Sequence, residues 1–330
     1  MSSRIRTLSN RPPTIVCTGP FGEPGPTILG GFGNIVIAPD DEESTLLGLV
    51  ADAVALIVRG GTRIDRPIID AAKNLKVIGR TGVGFDGVDI EAATSRGIPV
   101  VLAPNANANA VAEGALTMLL ALCKQLPLLD TLVRNARWRE RDRVDVRDLE
   151  GSTLGIVGFG RIGRRLASLV QPFGVRVLTY DAYLETVDAA GVELVSFEAL
   201  LERADHLTLH APLTDETRGM IDFLALERLG PDALLVNVAR GGLVRSLDDL
   251  MIGLERGFLA GAAIDVFDVE PPDVSHPLFR DPRVIFAPHA VGLSRLARWR
   301  LFEETGHSVA TVLAGGRAPA TVNPEVYTSG

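Results

Sequence analysis

The stretch that decides the fold is Thr153-Leu154-Gly155-Ile156-Val157-Gly158-Phe159-Gly160-Arg161-Ile162-Gly163, followed by Val175-Arg176-Val177-Leu178-Thr179-Tyr180-Asp181. An apolar, β-branched run leads into G-x-G-x-x-G. An amphipathic stretch, Arg161 to Phe173, follows and stops at Gly174, and a second strand ends on an acidic residue. The pattern predicts a strand, tight turn, helix, strand unit.

Each part of that unit has a physical task. Gly158 lets the chain turn sharply, Gly160 removes a side chain where a pyrophosphate can rest on backbone N–H groups, and Gly163 lets the helix pack close to the strand. The helix N-terminus adds roughly half a positive charge and free donors beneath the phosphates. Asp181 stands where a carboxylate accepts hydrogen bonds from the adenosine ribose hydroxyls. A 2′-phosphate would meet a like charge there, and no Arg or Lys directly follows, so the reading is NAD rather than NADP. A lone G-x-G-x-x-G often marks an ordinary βα turn; here the flanking strand, helix and spaced Asp all fit.

The chain has 330 residues, 46% hydrophobic and 22% charged, which suits two domains with sizeable cores. The formal net charge is −8 and no long Lys/Arg run occurs, which argues against nucleic acid or an anionic membrane as partner. No segment approaches the ~20 apolar residues of a membrane span. Met1 to Thr14 carries three Arg but no apolar core of a secretory signal, and reads as a frayed tail. Cys17 and Cys123 lie in apolar runs without metal-ligand spacing. They read as buried free thiols, which fits a reducing cytoplasm.

Working outward, Thr14–Thr18, Asn34–Ala38, Val54–Val58, Lys76–Gly79 and Pro99–Leu102 read as strands. Asp41–Ala53, Arg66–Asn74 and Gly87–Arg96 between them read as helices. Such alternation predicts a parallel sheet covered on both faces. Val111 to Leu126 is expected as a strong helix and Gln125 to Trp138 as a second helical stretch. Arg139 to Asp148, nearly all charge, is either a solvated arm or one that crosses to a second subunit. After the fingerprint, strands are expected at Asp205–Leu209, Ala233–Val238, Gly261–Asp265 and Arg283–Ala287. Helices are expected at Phe197–Arg203, Asp222–Leu229 and Leu247–Arg256. Ser294 to Leu313 reads as one long helix that packs back on the N-terminal unit. The fold class is therefore α/β with two doubly wound parallel-sheet domains. Residues 106–295 form a Rossmann NAD-binding domain inserted into a flavodoxin-like substrate domain of residues 1–105 and 296–330.

Three side chains stand at or just beyond strand ends, where open parallel sheets bind ligands. Arg240 follows Leu235 to Ala239, Glu270 follows Ile264 to Val269, and His289 follows Val284 to Pro288. They suit hydride transfer at an oxygen-bearing carbon beside a carboxylate. Arg240 can hold the carboxylate with a planar fork of donors. His289 can take or return the hydroxyl proton, and Glu270 can accept from its far ring nitrogen, fixing the tautomer and favouring the imidazolium. His206 and His210 lie ~13 Å apart along extended chain, too far to share a metal, and no metal is expected. In the first domain, Arg80-Thr81-Gly82-Val83-Gly84-Phe85-Asp86 is a glycine-rich turn whose N–H groups can form a nest for a carboxylate. Arg59, Arg63 and Arg80 either hold a phosphate together or are ordinary surface charges.

These motifs resemble the D-isomer-specific 2-hydroxyacid dehydrogenase family. The likeness rests on Arg80 to Gly84 with Asp86 and Asp89, Pro104 to Asn107 with Val111-Ala112-Glu113, and Gly158 to Gly163 with Asp181. It rests further on Asn237 to Gly242, Asp265-Val266-Phe267 with Glu270-Pro271, and Pro288-His289. The resemblance implies an active site in a cleft between two similar domains, with Arg240, Glu270 and His289 as the catalytic set. It implies NAD contacts from Val83, Arg161, Ile162, Asp181, Ala211, Val238, Arg240, Asp265, His289 and Gly292, beside the turn glycines Gly158, Gly160 and Gly163. It places Asn107, Arg80 and the backbone of Gly82, Val83 and Gly84 near substrate, and it implies a homodimer formed through the nucleotide domain. The N-terminal half looks most like D-3-phosphoglycerate dehydrogenase, with Leu56-Ile57-Val58-Arg59 and Arg80 where that enzyme's substrate phosphate binds.

The chain ends soon after the last helix, so the appended regulatory domain of longer family members is expected to be absent. Arg245 departs from the usual acidic residue, and Gly292-Leu293 departs from the usual pattern after the histidine, which leaves the pocket floor open. The resemblance implies a small 2-hydroxy or 2-keto acid substrate, phosphorylated or, like glyoxylate and hydroxypyruvate, not. A rival of another class is a non-catalytic NAD(H)-sensing interaction protein. The C-terminal-binding proteins resemble this family and keep the Arg, Glu and His, but carry a Trp shortly after the histidine that this chain lacks.

Overall fold

The computed structural model describes residues 12–328. The tail read over Met1 to Thr14 lies outside the described residues as far as residue 11. In chain order the structure forms β1 (Thr14–Cys17), α1 (Gly25–Leu29), β2 (Asn34–Ile37), α2 (Glu43–Val50), β3 (Ala53–Val58), α3 (Arg66–Ala71), β4 (Val77–Arg80), α4 (Ile90–Ser95) and β5 (Val100–Val101). Then come α5 (Ala108–Cys123), α6 (Leu126–Arg134), β6 (Thr153–Val157), α7 (Arg161–Val170), β7 (Arg176–Tyr180), β8 (Val192–Leu194), α8 (Phe197–Arg203), β9 (His206–Leu209), α9 (Phe223–Leu229) and β10 (Leu234–Asn237). The chain continues through α10 (Leu247–Glu255), β11 (Gly261–Ile264), β12 (Val284–Phe286) and α11 (Arg295–Leu313). Contacts divide it into two compact units, one of residues 1–107 with 295–330, the other of residues 108–294.

The first unit is a five-stranded parallel sheet in the order β2-β1-β3-β4-β5. Alternate residues of β3 serve opposite faces, as the two-residue period of a strand requires. Leu56 and Val58 join Leu46, Ile68 and Ile78, while Ala55 and Ile57 join Leu29, Phe302 and Val309. Helix α11 therefore closes one face of this sheet. It lies so near β4 that a Cβ on Gly79 would stand 2.5 Å from Val309 Cγ2.

The second unit is a seven-stranded parallel sheet in the order β12-β11-β10-β9-β6-β7-β8. Every residue of β6 is buried, as expected for a parallel strand covered on both faces. Leu154 and Ile156 pack with Leu119, Leu122 and Leu166; Val157 packs on the other side with Leu209, Leu226 and Leu250. Side-chain caps begin three of its helices: Ser196 accepts from Ala199 N at 3.2 Å, Asp222 from Ala225 N at 2.9 Å and Ser246 from Asp249 N at 3.0 Å. Each cap is worth about 1 kcal/mol.

Several elements differ from the sequence-based reading. Helix α5 starts and stops three residues early, and its end falls just before Gln125, which turns left-handed at φ 49°. Helix α6 ends at Arg134 rather than Trp138, two residues before Ala136 at φ 56°. Trp138–Arg143 is a 3-10 segment, and Arg137 pairs with Glu140 at 2.6 Å. Helix α7 gives way at Val170 to a 3-10 turn that Gly174 ends at φ 72°. Helix α1 and strand β8 were not expected at all: the first sits among prolines, and the second is a three-residue edge held by its ladder to β7.

Candidate active site

The glycine turn after β6 takes its shape from contacts that exclude side chains. Gly158 has φ 89°, and a Cβ there would lie 2.6 Å from Ala211 N. A Cβ on Gly163 would lie 2.3 Å from Gly158 O, so α7 rests directly on the turn. At Gly160 a Cβ would meet nothing within 4 Å. The space over the turn is open, beside the N-terminus of a ten-residue helix. Arg161 is exposed, Ile162 half-buried, and Ala211 and Val238 are buried. Asp181 faces the same turn. Its Oδ2 accepts from Phe159 N at 2.8 Å and its Oδ1 from Tyr183 N at 3.0 Å. The carboxylate thus fixes the turn, a task the sequence reading did not give it. A cradle of small residues, open donors and one acid fits a dinucleotide.

At the far ends of β10, β11 and β12 the loops bring a second group together. Asn237 is buried; its Nδ2 donates to Arg240 O at 2.9 Å and its Oδ1 accepts from Ala239 N at 3.1 Å. That shapes the turn presenting Arg240, whose Nη1 donates to Ala239 O at 2.7 Å. Gly241 follows because a Cβ there would overlap Phe267 C at 2.0 Å. Arg245, the departure after Gly-Gly, forms a two-pronged pair with Asp249 at 2.5 and 2.8 Å, and its Nη1 lies 3.7 Å from Asp222.

His289 holds a left-handed backbone, φ 52°, uncommon for a residue with a side chain. The buried Asp265 keeps it there. Asp265 O accepts from His289 N at 2.7 Å, and Oδ1 accepts from Ala290 N at 2.8 Å. Burial pushes the Asp265 carboxyl above its usual range, against the lowering effect of the Ala290 and Val291 N–H groups. The His289 Nδ1 lies 2.9 and 3.1 Å from the two Glu270 oxygens, so the pair engages Nδ1 and not Nε2. The Glu270 carboxyl is raised by burial but lowered more by His289, the Phe267 N–H and the Arg240 charge, so it lies below its ordinary value. It is an anion at neutral pH. Roles for Asn237 and Asp265 in shaping these loops were not readable in the sequence, because they depend on hydrogen bonds closed only in three dimensions.

This unit has three further histidines, His206, His210 and His276. His206 is buried; burial also pushes His210 down to about 3, so it stays neutral, with Nε2 2.9 Å from Thr208 Oγ1. His276 bridges Leu278 N and Asp248. Among the described residues no group of three or more His, Cys, Asp or Glu is placed to hold a metal ion. Nor is any single described helix long and apolar enough to cross a membrane.

In the first unit the glycine-rich turn after β4 is partly spent. Thr81 N donates to Val58 O and Gly82 N to Arg80 O. Among the described residues the N–H groups of Val83 and Gly84 have no backbone acceptor. The Arg80 guanidinium donates to Gly60 O at 2.6 Å and Val58 O at 3.3 Å. Arg63 is 79% exposed and leans on Asp65 at 3.5 Å. The Arg59 guanidinium carbon lies over Phe302, 4.9 Å from the ring centre. The three arginines thus have three different surroundings. Asn107 has a buried Oδ1 with no partner among the described residues, and Gly292 is buried.

The model of the D-isomer specific 2-hydroxyacid dehydrogenase NAD binding domain matches residues 116–291. D-3-phosphoglycerate dehydrogenase of Mycobacterium tuberculosis (strain ATCC 25618 / H37Rv) is 41% identical over 292 residues, which are 87% of this chain and 54% of that one. The chain spans about half the length of this curated relative and of others like it. Among solved structures, the TT0316 protein from Thermus thermophilus superposes with TM-score 0.86 at 34% identity, covering 94% of this chain and 99% of that one. A glyoxylate reductase from Paecilomyes thermophila superposes with TM-score 0.85 at 26% identity, covering 94% and 98%.

Proposed function

The chain belongs to the D-isomer-specific 2-hydroxyacid dehydrogenase family, and from that premise we propose that it interconverts a D-2-hydroxy acid and its 2-keto acid with NAD. The observation that carries this reading is the His289–Glu270 pair at 2.9 Å, on a loop pinned by Asp265, with Arg240 presented by Asn237. The residues that would hold NAD are the Gly158–Gly163 turn, Arg161, Ile162, Asp181, Ala211 and Val238. Bound there, NAD supplies the hydride acceptor, and NADH the donor.

His289 Nε2 takes the hydroxyl proton during oxidation and returns it to the carbonyl oxygen during reduction. Proton transfer of this kind contributes roughly 10²–10⁴-fold. The Glu270 anion holds Nδ1 and steadies the ring when it carries the second proton. Arg240 binds the substrate carboxylate and polarises the reacting oxygen. The leading substrate is D-3-phosphoglycerate, after the curated relatives. The buried thiols Cys17 and Cys123 support a reducing cytoplasm as its setting. Exposed Leu126, Val133 and Trp138, at 58%, 57% and 59%, support a homodimer through this unit.

The test is NADH oxidation with phosphohydroxypyruvate, hydroxypyruvate, glyoxylate and pyruvate. Phosphohydroxypyruvate is expected to lead. A lead by hydroxypyruvate or glyoxylate would make the enzyme a reductase of small acids. NADH binding without any turnover would replace the enzyme with an NADH-sensing interaction protein.

A further inference from the structure

The loops that follow β9, β10 and β11 are joined by one further contact. Arg218, in the loop after β9, donates from Nη1 to Asp268 Oδ1 at 3.3 Å, across 50 residues of chain. Asp268 stands two residues before Glu270, in the loop after β11. Beneath the pair lies the turn after β10 that presents Arg240. A Cβ on Gly242 would stand 2.8 Å from Asp268 Oδ1 and 3.0 Å from Arg218 Nη1, so the pair closes directly over that glycine. The backbones on both sides are fixed. Arg218 N donates to Thr214 O at 2.9 Å, and Gly219 N to Gly242 O at 2.8 Å. A Cβ on Gly241 would overlap the backbone of Phe267 and Asp268, and the Phe267 ring stacks on Phe279 and Phe286 at 5.8 and 6.2 Å between ring centres. The segment from Phe267 to Glu270 is closed from within by Phe267 N, which donates to Glu270 Oε1 at 3.0 Å. Val269 is 73% exposed and adds little packing there. Between Phe267 and Glu270, Asp268 is the residue whose side chain is tied to another loop.

We propose that Arg218 and Asp268 are positioning residues: their ion pair clasps the Glu270 loop to the Arg240 turn and so sets how firmly Glu270 holds His289. The proposal rests on the dehydrogenase reading above. The two side chains are 57% and 63% exposed, so the pair adds little to stability. Its effect is on alignment. The Glu270 oxygens meet His289 Nδ1 at 2.9 and 3.1 Å, and such a hydrogen bond weakens steeply as its geometry drifts. A Glu270 anion that drifts from the ring stabilises the imidazolium less. Arg240 and Asp265 are the other charged groups whose fields reach Glu270 and His289.

The experiment uses the full chain as wild type, Arg218→Ala and Asp268→Ala. The His289 imidazole is titrated by NMR, and 2-keto acid reduction with NADH is measured against pH. Reduction needs the protonated ring, so activity falls as pH rises through the midpoint of that titration. Both variants are expected to move the midpoint to lower pH by about half a pH unit and to lower kcat about two- to fivefold at neutral pH, the scale of an exposed ion pair. Melting temperature and NADH binding are expected to hold. Direct charge effects alone would move the two midpoints in opposite directions, because one variant removes a cation and the other an anion. The exchanged pair, Arg218→Asp with Asp268→Arg, is expected to restore midpoint and kcat. Midpoints that move in opposite directions or stay in place overturn the proposal, as does an exchanged pair no better than the single variants. If the wild type reduces no 2-keto acid, the dehydrogenase reading fails separately, and the imidazole titration alone decides the clasp.

Discussion

The edges of the two parallel sheets use charge in opposite ways. In the seven-stranded unit, Asp181 is tied to the Phe159 N–H, Asp265 to the Ala290 N–H, and His289 to Glu270. In the five-stranded unit, Arg59 has an aromatic ring beneath it and no carboxylate paired with it among the described residues. A group that must hold one protonation state and one orientation gains from a fixed partner. A group that must meet an incoming anion is best left without a resident carboxylate, which would have to be displaced first. On the proposed reading, the contrast separates groups held in one orientation from a group left open to an incoming anion.

The strongest way to break this comparison is His289→Ala. It is expected to lower kcat by about 10²–10⁴ while NADH binding, followed by fluorescence, is retained. An active variant would remove the paired region from the chemistry. Next, Gly163→Ala forces a Cβ to 2.3 Å from Gly158 O. A loss of about 1–3 kcal/mol is expected, read as a melting temperature lower by about 5 °C, together with weaker NADH binding. If both values hold, the turn is not packed as described.

Arg59→Ala probes the region without a carboxylate. It is expected to raise KM for phosphohydroxypyruvate about tenfold or more, with a smaller change for hydroxypyruvate; equal changes would deny Arg59 a phosphate. Asp181→Ala is expected to relax the preference for NAD over NADP by about tenfold. Asp181→Asn, which still accepts from Phe159 N, separates loss of charge from collapse of the turn. Unchanged discrimination in both would mean that another group reads the ribose.

The smallest expected effect is a null. Burial raises Cys17 to about 12 and Cys123 to about 11, so neither thiol should react with a disulfide reagent at pH 8 until denaturant is added. Because these values lie above the ordinary 9.0, the thiols cost no stability at neutral pH. Their contribution to loss of stability sets in only as pH rises from about 9 towards those values. Fast labelling of the native chain would show that these sites open.

Much of this was legible in the residues themselves. Alternating apolar runs and helical spacings specify the order of strands and helices, because burial of one face demands a fixed period. Gly158, Gly160 and Gly163 announced their turn through the spacing of a tight strand-to-helix connection. The positions of Arg240, Glu270 and His289 after strands were readable for the same local reason. Short elements were not: β8 exists through its ladder with β7, and α1 through packing against α11. Nor could sequence show that Asp181 and Asp265 act on backbone N–H groups 22 and 25 residues away, or that Arg59 rests over the ring of Phe302. Local chemistry and periodicity are properties of neighbours along the chain. Partnership between charges is a property of distance, and distance is set only when the sheets and their covering helices close.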